Sequence, residues 1–360
     1  MKENRSSRPV AIWLMVGVVM IIVQIILGGI TRLTGSGLSI TEWDVITGSL
    51  PPLNEARWIE EFNKYKETPQ FRLLNYDFSL KDFKFIYFWE WFHRLWGRLI
   101  GIVFAIPFVI FLIQKRFKKE MVKPLVILFL LGALQGAVGW IMVASGLTGD
   151  AIYVKPTRLA LHFIFAMVLL VYTFWFALKL LVPQNEISHH TPQRKFTWWL
   201  IALLGLQFVF GALMAGHRGA PAAPTWPDIN GSFIPDYIFT RVDSLRAFIE
   251  DRIMIHFVHR MLAYLLVILV IWWTVKASKP YFTTLFRRTR FWPLIFVIIQ
   301  TTLGVLTVLT SIHIRPAKWN DFEWMAQLHQ FVALLLLLSL TFAAFLLTNK
   351  SNKKSVYESR

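Results

Sequence analysis

The chain has 360 residues, 56% of them hydrophobic, with 16 tryptophans and a formal charge of +17, the composition of a protein that lives in lipid. It has no cysteine, which excludes disulfides, thiolate metal sites, iron–sulfur clusters and covalent c-type haem attachment. Apolar runs long enough to cross a bilayer core are predicted at 10–30, 88–114, 124–145, 158–182, 197–216, 255–275, 291–311 and 324–347. The first run is too long for the apolar core of a cleaved signal peptide and no small-residue cleavage site follows it. Seven further runs exclude a signal anchor for a soluble domain. The predicted class is all-α integral membrane, with eight transmembrane helices.

Charge in the loops predicts orientation. With the N-terminus in the cytoplasm, the inner segments hold Lys115, Arg116, Lys118, Lys119 and Lys123 after the second run and Lys276, Lys279, Arg287, Arg288 and Arg290 after the sixth. The only acids on that side are Glu3, Glu120, Glu186 and Glu358. The basic excess therefore reads as topology, and nucleic acid is excluded as a partner. Both termini are expected inside, and two long loops, 31–87 and 217–254, outside. The first loop carries Trp58, Ile59, Phe62 and Tyr65 in an amphipathic pattern that predicts a short interfacial helix. The second is rich in proline and glycine and predicts an ordered, non-helical cap. The polar tail at 349–360 is expected to be disordered and cytoplasmic. Only about ten residues precede the first run, which leaves no room for a transit peptide and points to a bacterial plasma (inner) membrane.

Two signatures repeat after four helices. The first, third, fifth and seventh runs carry Gln-x-x-x-Gly, at Gln24/Gly28, Gln135/Gly139, Gln207/Gly211 and Gln300/Gly304. The second, fourth, sixth and eighth carry one histidine each near the outer end, His93, His162, His259 and His329. Four is even, so both halves enter the membrane in the same direction and are expected to be related by a pseudo-twofold axis along its normal. The expected division is an N-terminal four-helix bundle over 1–183 and a C-terminal one over 184–348. Gln-x-x-x-Gly alone is compatible with close helix packing; in four copies a role beside a flat macrocycle becomes an alternative.

The histidines carry the chemistry. Ionisable groups inside lipid are costly and mark functional sites, and four at one depth in matched pairs form a haem-ligand pattern. His93 pairs with His162, and His259 with His329. Arg94, Arg98 and Arg260 lie on the outer turns, where they either bind propionates or snorkel to headgroups. Glu90, three residues before His93, has His256 as its counterpart before His259. It is read either as a base or charge stabiliser beside a substrate or as the partner of Arg94. His189 and His190 are expected in solvent on the inner side, and His217 and His313 at an outer mouth without ligation.

The stretch Gly28-Gly29-Ile30-Thr31-Arg32-Leu33-Thr34-Gly35-Ser36-Gly37-Leu38-Ser39 with Trp43, Glu90-x-x-His93-Arg94, Thr225-Trp226-Pro227 and Phe257-Val258-His259-Arg260 together resemble the haem A synthase family over about residues 10–347. The resemblance implies oxidation of the C8 methyl of haem O to a formyl group by successive hydroxylations, supplying haem A to cytochrome oxidase. It implies a non-covalent haem b held by His259 and His329, and a substrate haem site with His93, His162 and Glu90. Lacking cysteine, the chain is similar to the subgroup that includes the mitochondrial enzyme. Haem O synthase and an electron acceptor are expected partners, beside the bilayer itself, and a homo-oligomer is open. A non-enzymatic di-haem cytochrome and a haem carrier are the competing readings. The histidines near one face and the inequality of Glu90 and His256 argue against the cytochrome, and the long capping loops against the carrier.

Overall fold

A computed structural model of the chain describes residues 8–42, 50–236, 238, 245–279, 282–314 and 319–348. Trp43, the cations before Arg8 and the tail at 349–360 lie outside the described residues. Eight helices are long and apolar enough to cross a membrane, making this a multi-pass membrane protein. They are α1 (Arg8–Leu33), α4 (Leu80–Ile113), α5 (Lys119–Ala144), α6 (Pro156–Leu181), α7 (Thr191–Gly216), α9 (Arg252–Ala277), α11 (Trp292–Thr310) and α12 (Asp321–Leu346). The two long loops add α2 (Glu55–Lys66), α3 (Pro69–Leu74) and α8 (Ala247–Glu250), and α10 (Thr284–Thr289) precedes α11. No strand forms among the described residues.

Local chemistry sets the boundaries. Proline at the first helical positions starts α6, α7 and α11, where the missing N–H would have no partner anyway. Asp251 caps α9 through Met254 N at 2.8 Å. His190, expected in solvent, instead caps α7, its Nδ1 accepting from Gln193 N at 3.1 Å. The second span begins two turns before its apolar run because Ser79 and Asp82 form a reciprocal capping box. Those added turns carry Phe83, Ile86 and Tyr87, all buried against Ile40 and the α2 residues Phe62 and Tyr65. Phe83 stacks on Phe62 with ring centroids 5.0 Å apart and on Tyr65 at 5.3 Å. The expected amphipathic helix is thus α2, and its apolar face covers the outer end of α4.

Within the first half, α1 packs on α4 and α6, and α5 packs on α6. In the second half α7 packs on α9 and α12, and α11 packs on α12. One pair differs: α9 runs along α11, whereas α4 and α5 barely touch. The halves meet through α6 with α7 and α12, and α1 with α12. A single apolar cluster, with Leu14, Leu170, Leu200, Val270 and Leu334, runs through both. Gln330 Nε2 donates across the junction to Ile25 O at 2.7 Å. Among the described residues of the second long loop there are a 3-10 turn at Ala220–Ala222, the isolated bridge Ile229–Ser232 and the helical turn α8, so the cap expected to be non-helical has helix at its C-terminal end.

Candidate functional site

Each Gln-x-x-x-Gly faces the histidine of the following span. Glutamine and glycine lie one turn apart on one helix face, and the imidazole of the neighbouring helix sits over the glycine. A Cβ on Gly28 would lie 3.2 Å from His93 Cε1, one on Gly139 2.8 Å from His162, one on Gly211 3.2 Å from His259 and one on Gly304 2.9 Å from His329. The glutamine amide brackets the same ring. Gln24 Nε2 is 3.3 Å from His93 Nε2, Gln207 Nε2 is 3.3 Å from His259 Nε2, and Gln300 Nε2 is 3.2 Å from His329 Nε2. Gln135 Nε2 lies 3.3 Å from His162 Nδ1 and 3.5 Å from its Nε2. Gln24 and Gln135 also donate to the main-chain carbonyls of His93 and His162, both at 3.2 Å. The repeat therefore serves the histidines of the next span. Its period was visible in the sequence; the identity of what it faces was not.

All four histidines are half-buried. His259 and His329 face each other with ring centroids 6.4 Å apart and planes at 70°. Each pair joins two helices of one half, and the spacing of His259 and His329 leaves room for a metal between their imidazoles.

The arginines that follow His93 and His259 are each occupied by the neighbouring long loop. Arg94 donates to Ile40 O at 3.2 Å and Glu42 O at 3.4 Å. Arg260 donates to Ala223 O at 2.9 Å and Asp228 O at 2.6 Å. These bonds tie each loop across the mouth of its histidine pair. Arg98 lies one turn further in on α4, half-buried. In the second loop, the Thr225 hydroxyl and Gly231 N–H hold the Asp228 carboxyl below the usual carboxylate range.

Glu90 is 2% exposed. One oxygen accepts from Ser39 N at 2.7 Å, Ser39 Oγ at 2.8 Å and Ile40 N at 2.9 Å. The other pairs with Arg94 at 2.5 Å. Its counterpart His256, 1% exposed, donates from Nε2 to Gly219 O at 2.9 Å. Both positions thus tether the start of an outer loop, one to N–H donors through a carboxylate and the other to a carbonyl through an imidazole. Ser39 and Ile40, which clasp Glu90, carry no chemical signal in the sequence beyond lying in the glycine-rich stretch. His217 donates from Nε2 to Ile249 O at 2.8 Å and so braces the second loop, while His313 is exposed in a 3-10 turn.

A family model described as cytochrome oxidase assembly protein (COX15-CtaA) matches residues 11–341. The chain is similar to the heme A synthase of Flavobacterium psychrophilum, at 41% identity over 95% of this chain and 98% of the relative. It is similar to that of Flavobacterium johnsoniae at 39%, over 95% and 97%. For the heme A synthase of Parvibaculum lavamentivorans the identity is 40%, over 86% of this chain and 88% of the relative. The match runs from the first span into the eighth and takes in both histidine pairs, so the chain belongs to the COX15-CtaA family of cytochrome oxidase assembly proteins.

Proposed function

We propose that the protein is a haem A synthase that oxidises the C8 methyl of haem O to a formyl group by successive hydroxylations. The observation that carries this reading is the pair of two-imidazole sites, each floored by glycine and covered by its own arginine-tied loop. The donor set fits haem. A metal–nitrogen bond of about 2 Å on each side, plus the depth of two rings, gives roughly 6 Å between centroids, against 6.4 Å for His259 and His329. Imidazole on both axial sides is a common way to hold haem iron in a helix bundle.

The C-terminal half is assigned the resident haem b, ligated by His259 and His329. When bound, it supplies one-electron redox chemistry. The N-terminal half is assigned haem O, between His93 and His162. The poor contact between α4 and α5 supports that division, because it leaves this half open to the bilayer where a lipophilic substrate dissolves. Glu90 is assigned the fixed negative charge of the substrate site, stabilising positive charge that grows on the methyl carbon. To act as a proton acceptor it would first have to release one of its four donors. Arg94 and Arg260 hold the loops that exclude water, and Arg98 is assigned to a substrate propionate. The two halves, 1–183 and 184–348, are taken as pseudo-twofold-related bundles with both termini cytoplasmic, the haem sites toward the outer face, in a bacterial plasma membrane. Haem O synthase upstream and an electron acceptor are the partners this chemistry needs.

The test is to express the protein beside a haem O source and analyse the extracted haems by mass. The product should have gained one oxygen and lost two hydrogens relative to haem O. Unchanged haem O, with both sites loaded, would overturn the enzyme in favour of a di-haem cytochrome.

A further inference from the structure

The geometry points to Gln-x-x-x-Gly as a tautomer lock, in which the glutamine amide stands in for the metal on each histidine until the metal arrives. This inference rests on the haem reading above. An amide N–H can only donate, so the ring nitrogen it faces must present a lone pair. At His93, His259 and His329 that nitrogen is Nε2. His329 supplies an independent check: its Nδ1 lies 3.0 Å from Gln300 O, and a main-chain carbonyl can only accept, so Nδ1 carries the proton. Two bonds from one glutamine therefore fix the same tautomer from opposite sides of the ring. Nε2 is left unprotonated, the form that ligates a metal.

The glycine makes this approach possible. At Gly304 an added Cβ would sit 2.9 Å from His329 Cε1, too close for the ring to stay where it is, and at Gly211 the 3.2 Å gap to His259 asks for a smaller shift. Gly205, on the same helix as Gly211, has nothing within 4 Å and needs no such space. A packing role for the glutamines does not account for their chemistry. Gln24, Gln135, Gln207 and Gln300 all leave Oε1 buried without a partner, which costs stability that an apolar side chain of the same shape would not. What the amide contributes is its N–H. His162 is the exception that ranks the sites: Gln135 Nε2 lies between its two ring nitrogens, so its tautomer is the least defined of the four.

The test uses full-length protein purified with its haem, then emptied and supplied with haem again, and reads haem uptake, haem release and the low-spin electron paramagnetic resonance signal, which reports the ligand planes. Gln300→Met keeps the length and fills the space but lacks the amide. Once iron occupies Nε2 the amide has left it, while the Gln300 main-chain carbonyl stays on Nδ1, so Gln300→Met should release haem b at the wild-type rate. With the stand-in lost, haem uptake by the emptied protein should slow at least about tenfold, the lower end of what losing a group that orients a metal ligand costs. Gly304→Ala should be more severe than Gly211→Ala, and Gly205→Ala should match the wild type. His259→Ala and His329→Ala serve as the reference for lost ligation. If they retain the wild-type haem signal, the haem reading itself falls. If they lose it while Gln300→Met, Gly304→Ala and Gly211→Ala all match the wild type, the haem reading stands and the lock is wrong.

Discussion

Glu90 and His256 occupy matched places and share a task, since each ties the start of a long loop from the turn before His93 or His259. Their difference is charge, which is why Glu90→Gln is the most informative substitution. Glutamine keeps the shape, retains an acceptor for part of the Ser39–Ile40 clasp and removes the negative charge. The expected outcome is haem b retained at the wild-type level with haem A formation down by at least about tenfold, a modest loss for a group acting on the reacting centre. Extracted haems and the reduced spectrum are measured on the same preparation. Normal haem A yield would leave Glu90 as a loop tether, and loss of haem b along with product would mark it as structural for both halves. At this scale the sequence was legible in kind but not in direction. Four histidines, four glutamines and four glycines stand out by period, yet period says nothing of which helix a glutamine faces. Likewise the arginines at 94 and 260 read as propionate ligands by position, while the bonds that occupy them run to loop carbonyls, which every residue possesses and no pattern advertises.

Helices were the most legible elements, because an apolar run of membrane length has few alternatives in lipid. Their starts were less so. The apolar run at 88 concealed the two amphipathic turns from Leu80, which the Ser79–Asp82 box begins and which α2 then covers. That contact makes Phe83 the keystone of the first outer loop, fully buried and stacked on both Phe62 and Tyr65. Phe83→Ala should weaken the packing of α2 on α4 by about 3–5 kcal/mol, the usual cost of removing a buried phenylalanine. Because α2 and α3 touch the spans through this cluster and few other contacts, the loss should appear as local opening, not global unfolding. Limited trypsin digestion reads it directly: cleavage after Lys66, exposed on α2, should accelerate strongly while haem b absorbance stays constant. Unchanged cleavage would show that α2 is held by the ion pair of Lys64 with Glu42, and not by its aromatic face.

At the scale of the whole molecule the repeat and its one departure matter together. Contacts of α1 with α4 and α6 are matched by those of α7 with α9 and α12, and a glutamine and glycine face a histidine in all four places. The departure is that α9 packs along α11 while α4 and α5 do not close in the same way. No residue pattern signals this, since both halves have the same spans and the same signatures, and closure depends on helix tilt, which packing sets and composition does not. The difference predicts unequal exchange. A haem held between His259 and His329 is enclosed by four mutually packed helices, so leaving requires them to separate. A haem between His93 and His162 has the α4–α5 gap beside it, and His162 has the least defined tautomer of the four ligands. Protein loaded at both sites and mixed with excess apomyoglobin as a haem trap should therefore lose haem in two phases. The fast phase should disappear in His93→Ala, and the slow phase should disappear in His259→Ala. A resident cofactor must outlast many turnovers while a substrate must leave after each one, so a separation of at least about tenfold between the phases is expected, the size of effect that a changed hydrogen-bond partner of a ligating histidine produces by itself. A single phase for both sites, or a fast phase that persists without His93 and vanishes without His259, would reverse the assignment of substrate and cofactor to the two halves.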